Sequence, residues 1–345
     1  MKHPFLPYTR MATALLLVAA GTSHAQSNVQ INGVFDMFAG QRQLSGRAKL
    51  KTVDSGGMTT SRLGFEGSED LGDGWRANFA ISGFFRGDTG ESGRFGTTDA
   101  GWRRFAFVGL QSPTLGTLRL GRVGTPTFGV AIRFNPFGDS TTLAPYTLHM
   151  YPGGQPLAAP MNTLDSAADN SVAWNSPRWG GFSVAGLVSA AETSARGPRW
   201  AAGLNWSAGP FDFALATEQS EVTPLLPAGV SKLVNVQAGA SYNLNVAKLF
   251  AQYGHTEMNL AVGQREYDTW QLGTSVPVGA GALLVSYASS TKQERALADV
   301  ERSTLGVGYD YNLSRRTDLY TVFLNDKVKG LSAGRTLVAG VRHRF

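Results

Sequence analysis

The sequence contains no cysteine, and beyond its first residues it contains no long hydrophobic run. The missing thiols exclude a disulfide framework and any metal centre built on cysteine. A helical membrane bundle is excluded as well, because a spanning helix needs about 20 consecutive apolar residues and the mean hydropathy is only −0.12. A membrane β-barrel remains possible, because its strands need apolar residues on one face only.

The N-terminus carries the pattern of a secretory signal. Lys2, His3 and Arg10 supply a basic region, residues 11–20 (MATALLLVAA) are apolar, and residues 23–25 (SHA) place small residues where a signal peptidase cleaves. We predict a signal peptide over residues 1–25 and a single barrel domain over residues 26–345. An N-terminal membrane anchor is the alternative, and the apolar run is short for one.

The chain is moderately basic, with a formal net charge of +6. Removal of Lys2 and Arg10 with the signal peptide leaves about +4, since residues 1–25 contain no Asp or Glu. The remaining basic residues are dispersed along an exported chain, so we expect no nucleic acid partner. His149, His255 and His343 have no ligand-like spacing, which predicts no metal or other cofactor.

From Val29 onward the apolar residues alternate with polar ones. Residues 29–37, 234–242 and 304–311 each show this period of two, which is the signature of β-strands. We count about sixteen such segments, the second starting near residue 57, with connections that alternate between short and long. The pattern predicts an all-β chain, a 16-stranded antiparallel transmembrane barrel. A soluble sandwich or β-helix is the alternative, but it would not need polar residues on the second face of most strands.

Residues 61–72 (SRLGFEGSEDLG) closely resemble the second strand and first periplasmic turn of Gram-negative general porins, above all those of the β-proteobacterial type. Residues 27–36, 104–110, 115–122 and 340–345 resemble, in order, the first, fourth, fifth and last strands. The resemblance implies a homotrimer in the outer membrane of a Gram-negative bacterium, with a long third loop folded into the pore. That loop would be Val123 to Ala167, a structureless segment long enough to suggest a function.

The loop tip contains residues that resemble the acidic constriction element of these porins: Asn135, Pro136, Phe137, Gly138 and Asp139. Pro136 stands where the family has a carboxylate, so Asp139 is the acidic site that remains there. Arg133 offsets part of the loop's negative charge. We therefore expect the loop side of the constriction to be poor in acid.

Strand alternation predicts which arginines face the pore. Lipid-facing Arg costs about 2–4 kcal/mol at the bilayer midplane, so Leu63 and Phe65 would face lipid and Arg62 the lumen. By the same argument Phe105 and Phe107 would face lipid and Arg104 the lumen. The resemblance places Arg62, Arg104 and Arg122 in the basic wall of the constriction. Alternation alone adds Arg76 and Arg119.

The C-terminal Phe345 resembles the recognition signal read by the outer-membrane assembly machinery. Other expected partners are small hydrophilic solutes and ions, outer-membrane lipid and lipopolysaccharide. No Ser–His pair supports an enzyme. The sequence therefore predicts a general diffusion porin with a mild preference for anions. The alternatives are a channel selective for small anions such as phosphate or organic acids, and an adhesin or structural barrel.

Overall fold

The computed structural model describes residues 28–94, 101–151, 165–191, 197–221, 230–295 and 297–345. The predicted signal peptide and part of the predicted third loop lie outside these residues. The described chain forms one antiparallel sheet of 17 strands that closes on itself, because the first strand pairs with the last. Closure removes both sheet edges, as a lipid environment requires. In the described ranges no helix is both long and apolar enough to span a membrane.

The strands and helices have the following bounds: β1 (Asn28–Arg42), β2 (Leu50–Ser55), β3 (Arg62–Gly72), β4 (Trp75–Phe84), β5 (Phe105–Ser112), β6 (Gly116–Gly124), α1 (Pro126–Arg133), α2 (Pro145–Met150), β7 (Ala167–Asn175), β8 (Phe182–Ser189), β9 (Arg199–Ala208), β10 (Phe211–Glu221), β11 (Val230–Asn243), β12 (Lys248–Leu260), β13 (Gln264–Val278), β14 (Gly281–Glu294), β15 (Val300–Asn312), β16 (Thr317–Val328) and β17 (Gly334–Arg344).

Two of the seventeen strands are halves of one barrel strand. Both β2 and β3 run antiparallel to β1, β2 along its second half and β3 along its first half. The barrel therefore has sixteen strands around its wall, as the alternation predicts. The predicted start of the second strand near residue 57 is wrong, because that strand begins at Leu50 and residues 56–61 leave the sheet between its halves.

The barrel closes through the last residue of the chain. The backbone N–H and C=O of Phe345 both pair with those of Gly33, each at 3.1 Å. The Phe345 ring lies against Gly33, where a Cβ would approach it to 2.4 Å. A glycine at this position of β1 thus leaves room for the terminal aromatic ring at the seam.

The two faces of the sheet differ in exposure. Trp270 and Leu272 of β13 are 43% and 58% exposed, whereas the intervening Gln271 is 1% exposed. The exposed apolar residues form the outer surface, and the buried polar residues face inward against the third loop. The chain therefore shows the alternation of a membrane barrel, apolar outside and polar inside.

Candidate functional site

The third loop is not structureless as the sequence suggested, because it contains α1 and α2. Pro126 begins α1, where its missing N–H costs nothing, and the Thr125 hydroxyl caps the helix by accepting from the Phe128 N–H at 3.3 Å. Gln252 on the barrel wall donates to the carbonyls of Val130 and Ala131 at 2.8 and 3.0 Å. The wall thus holds the C-terminal half of α1 through a buried amide.

A second set of wall contacts holds α2. His149 is fully buried, and its Nδ1 and Nε2 lie 2.6 and 2.8 Å from the hydroxyls of Ser290 and Thr304. Arg302 donates from Nη1 to the Leu148 carbonyl at 3.2 Å and pairs through Nε with Asp326 at 2.7 Å. The loop is therefore attached to β14, β15 and, through Arg302, β16.

The loop tip lies between these two helices. Asn135 Oδ1 accepts from the backbone N–H of Phe137 at 3.0 Å and shapes the turn, and Gly138 follows with a φ of 59°. Pro136 lies so close to Gly273 that a Cβ there would approach it to 2.6 Å. Phe137 packs into a buried apolar cluster with residues of β1, β14, β16 and β17. Asp139 accepts from the Thr59 hydroxyl at 2.7 Å and pairs with Arg62 at 3.3 Å.

The segment 56–61 that interrupts the second barrel strand is the platform for this tip. The carboxylate of Asp36 accepts from the backbone N–H groups of Gly57, Met58 and Thr59 at 3.1, 2.9 and 2.8 Å. Ser140 in the loop donates to the Gly57 carbonyl at 2.6 Å. Sequence reasoning missed this platform, although an Asp on a strand's inward face was a visible signal that a group of donors must lie opposite.

A cavity of about 630 Å³ lies between the third loop and the inner wall formed by β1 and β3–β10. Among the described residues, four ionisable side chains line it, of which three are arginines (Arg104, Arg119 and Arg133) and one is a carboxylate (Glu66). Arg133 is neutralised by Asp212 on β10 at 2.6 Å, and it also donates to Asn205 and Ser207. Arg104 and Arg119 are the cations that remain.

Neither of these two cations has a carboxylate within salt-bridge distance among the described residues. Arg104 stacks on the ring of Phe105, with its Cζ 4.3 Å from the centroid. Arg119 stacks on Phe107 at 5.3 Å and donates to the neutral amide of Asn175 at 2.9 Å. Their charge is therefore available to an ion in the cavity.

The orientation predicted for two of the phenylalanines is wrong. Ser82, on the inward face of β4, pairs with Phe105, and Ala80 pairs with Phe107. Both rings line the cavity. Val108, the next residue after Phe107, is 57% exposed on the outer face. Arg104 nonetheless reaches the lumen, because it precedes β5 and is not part of the strand's alternation. The prediction assumed that Arg104 is part of the strand, whereas β5 begins at Phe105.

Arg122, which the resemblance places in the basic wall together with Arg104, is not among the residues that line this cavity. It is 7% exposed, and its Nη atoms pair with Asp165 and Asp169 at 3.0 and 2.7 Å. Its Nε donates to the Arg103 carbonyl at 2.7 Å. Although burial opposes it, the Arg122 charge lowers the pKa of Asp165 below the ordinary range. Arg122 therefore fastens the far end of the third loop to β6.

Arg76 also lies apart from the cavity. It is the second residue of β4, pairs in register with Asp70 and Gln111, and is exposed next to the turn at residues 72–74. The structure thus places it on the inward face, as alternation predicts, but at the turn end of the barrel.

No group of three or more His, Asp or Glu residues in the described ranges is arranged to hold a metal ion.

A closed antiparallel barrel with a loop packed against its inner wall and a cavity lined by arginine defines a channel protein of the outer-membrane type. Comparison with protein families agrees, since the Gram-negative porin model matches residues 12–331. The chain belongs to the Gram-negative porin family. It is a diffusion channel of the outer membrane and not an enzyme.

Individual relatives resemble the chain over nearly its whole length. Outer membrane porin protein 32 of Delftia acidovorans is 28% identical, over 96% of this chain and 97% of the relative. An outer membrane porin protein of Bordetella pertussis is 25% identical over 98% of this chain and 99% of the relative. The solved structure of an anion-selective porin from Comamonas acidovorans is 26% identical, with a TM-score of 0.77 over 93% of this chain and 100% of that chain.

Proposed function

We propose that this porin conducts small hydrophilic solutes with a mild preference for anions. The observation that carries the proposal is the charge of the cavity, where Arg104 and Arg119 have no carboxylate partner in the described ranges and Glu66 is the single acidic lining residue. One charge about 4 Å from an ion in water is worth roughly 1 kcal/mol, which corresponds to about a fivefold preference. A resemblance to an anion-selective porin adds support.

The reversal potential of the refolded protein in a planar bilayer, under a roughly tenfold KCl gradient, tests the proposal. We expect large stepwise conductances and a reversal potential on the chloride side. A reversal potential on the potassium side would contradict the electrostatic argument. Well-folded protein without conductance would favour a plugged barrel such as an adhesin. The preference should weaken as salt rises, because the Debye length is already about 10 Å at 0.1 M.

The maturation and assembly of the chain are further parts of the proposal. Cleavage after Ala25 would leave Gln26 as the first residue, which N-terminal sequencing of the outer-membrane form tests.

Family membership supports a homotrimer, which native mass spectrometry in detergent tests. We propose that Phe345, at the barrel seam, is read by the assembly machinery, so that its deletion lowers the yield of folded barrel. The rim would contact lipopolysaccharide.

A further inference from the structure

Part of the lumen wall is apolar and partly exposed to the cavity. Elsewhere, inward apolar residues such as Leu284 and Val322 are buried in a cluster with residues of the third loop. At the cavity, inward positions of β5 carry Phe105 and Phe107, whose rings lie 6.5 Å apart in an edge-to-face arrangement. The two partly exposed phenylalanine rings therefore present an apolar surface that an aromatic solute in the passage can contact.

The apolar wall extends beyond the two rings across β6 to β8. Phe107 packs on a cluster of buried side chains that contains Val123, Ala173 and Leu187. Val123, Ala173, Leu187 and both phenylalanines line the same cavity. We call these five residues the lumenal apolar patch.

A free cation lies beside each phenylalanine of this patch. The guanidinium carbon of Arg104 lies 4.3 Å from the Phe105 centroid and that of Arg119 lies 5.3 Å from the Phe107 centroid. When the flat face of a guanidinium stacks on a ring, the N–H donors along the edge of the guanidinium remain available. Two of these donors can bind both oxygens of a carboxylate. The cavity therefore presents an anion-binding edge and an aromatic surface side by side.

We propose that the lumenal apolar patch with Arg104 and Arg119 is a binding subsite for aromatic carboxylates of the benzoate type. This proposal rests on the proposed anion preference, and it specifies which anions bind most strongly in the pore. Chloride or phosphate would use the arginines alone and leave the patch in water. A benzoate ion would use both features, with its carboxylate on a guanidinium and its ring on Phe105 or Phe107. The volume of about 630 Å³ lies within the usual range for small-molecule sites.

Current block by benzoate, compared with acetate, tests the subsite. The single-channel KCl current is recorded while sodium benzoate, sodium acetate or benzyl alcohol is added to one side. Benzoate and acetate share the charge, and benzyl alcohol shares the ring. We expect half-block by benzoate at a concentration about tenfold lower than by acetate, and no block by benzyl alcohol. Equal half-blocking concentrations for benzoate and acetate, or block by benzyl alcohol equal to that by benzoate, would overturn the proposal.

Variants assign the effect to the patch. The double variant Phe105→Leu/Phe107→Leu keeps apolar volume and removes both rings, and should bring the benzoate and acetate values within about twofold of each other. Phe79→Leu is the matched control, because Phe79 is an outward residue of the adjacent strand, 38% exposed. It should retain the tenfold ratio. An unchanged ratio in a double variant that still conducts KCl would exclude these rings as the binding surface. Failure of the anion preference itself appears separately, in the KCl reversal potential.

Discussion

Arg62 of the barrel wall and Asp139 of the third loop form an ion pair, with Nη1 and Oδ2 3.3 Å apart. The same carboxylate accepts from the Thr59 hydroxyl on the platform at residues 56–61. The pair fixes the loop tip to β3, and it also cancels much of the charge of both partners. We therefore expect Arg104 to contribute more than Arg62 to the positive potential of the pore.

Removal of the Asp139 charge should strengthen the anion preference. Asp139→Asn leaves an amide of similar size, which can still bond Thr59, and it frees the positive charge of Arg62. We expect the chloride-to-potassium permeability ratio to rise, by up to about fivefold for one charge near the path. The reversal potential in a KCl gradient measures this ratio. A ratio that falls would show that the loop moves when the pair is broken.

The position of an arginine along the barrel should decide its effect on selectivity. Arg104→Ala removes a cavity cation without a carboxylate partner, and we expect the permeability ratio to move several-fold toward unity. Arg76→Ala is the matched control, because Arg76 also faces inward but lies beside the turn at residues 72–74. Its change should be clearly smaller. Equal shifts from the two variants would mean that the whole lumen, and not the cavity, selects ions.

Much of the fold was predictable from the sequence, because lipid on one side and water on the other impose a strict alternation. That alternation placed Arg62, Arg76 and Arg119 on the inward face. It failed for Phe105 and Phe107, because it was extended back through Arg104, which precedes the strand. The sequence pattern alone does not show at which residue this strand begins, because a phenylalanine can lie on either face of the barrel wall.

The pairing of charges was not predictable from the sequence. Arg122 resembles a constriction residue by its place before the third loop, yet Asp165 and Asp169 neutralise it from the other end of that loop. Three donors to the Asp36 carboxylate come from the interruption at residues 56–61, which the strand pattern treated as part of a loop and a strand start. Such contacts depend on the closed barrel, which brings distant segments together.

Loss of the Arg122 side chain should destabilise the barrel. Arg122→Ala leaves Asp165, which is 8% exposed, without its main partner, and removal of one member of a buried pair costs about 3–5 kcal/mol. Urea unfolding in detergent measures the change. Arg76→Ala, at an exposed site, should change the free energy of unfolding by less than about 0.5 kcal/mol. A similarly small change in the free energy of unfolding for both variants would mean that the end of the third loop rearranges and exposes Asp165 to solvent without loss of stability.

The same ion pair has a pH signature. The pKa of Asp165 is lowered in the folded state, so the unfolded chain binds its proton first as pH falls. The stabilisation is therefore complete above the ordinary Asp pKa, about 3.9, and it is lost as pH falls from there through the lowered value. In Asp165→Asn, the free energy of unfolding should fall less steeply below about pH 4 than in the unaltered protein. An identical slope would contradict the assigned charge interaction.

Close packing of the third loop against the wall predicts a steric effect of a single methyl group. A Cβ at Gly239 would lie 2.2 Å from the Phe134 ring, whereas a Cβ at Gly186 would have open space. Gly239→Ala should therefore destabilise the barrel by about 1–3 kcal/mol or displace α1, and Gly186→Ala should be neutral or slightly stabilising. Urea unfolding and unitary conductance report the two effects. Equal behaviour of the two variants would mean that the loop does not pack on β11.

Acidification should lower the free energy of unfolding through His149, which attaches α2 to the wall. Burial first, and then the Arg302 charge, lower the pKa of this histidine well below its ordinary value, while Asp326 opposes the change. The imidazole is therefore neutral in the folded protein, with Ser290 and Thr304 as its partners. As pH falls below about 6.5, the unfolded chain gains a proton that the folded chain does not, so stability is lost in that range.

The expected loss attributable to His149 is about 1 kcal/mol between about pH 7.5 and pH 5.5, because only the unfolded state titrates there. His149→Asn removes the titrating group, so its urea midpoint should change less over this interval than that of the unaltered protein. His255→Asn is the control, since His255 is only partly buried beside Asp268, with 35% of its side chain exposed. That variant should retain the His149-dependent loss. If His149→Asn shows the full acid sensitivity, the proton must be taken up elsewhere, and His149 is not the source of the loss of stability.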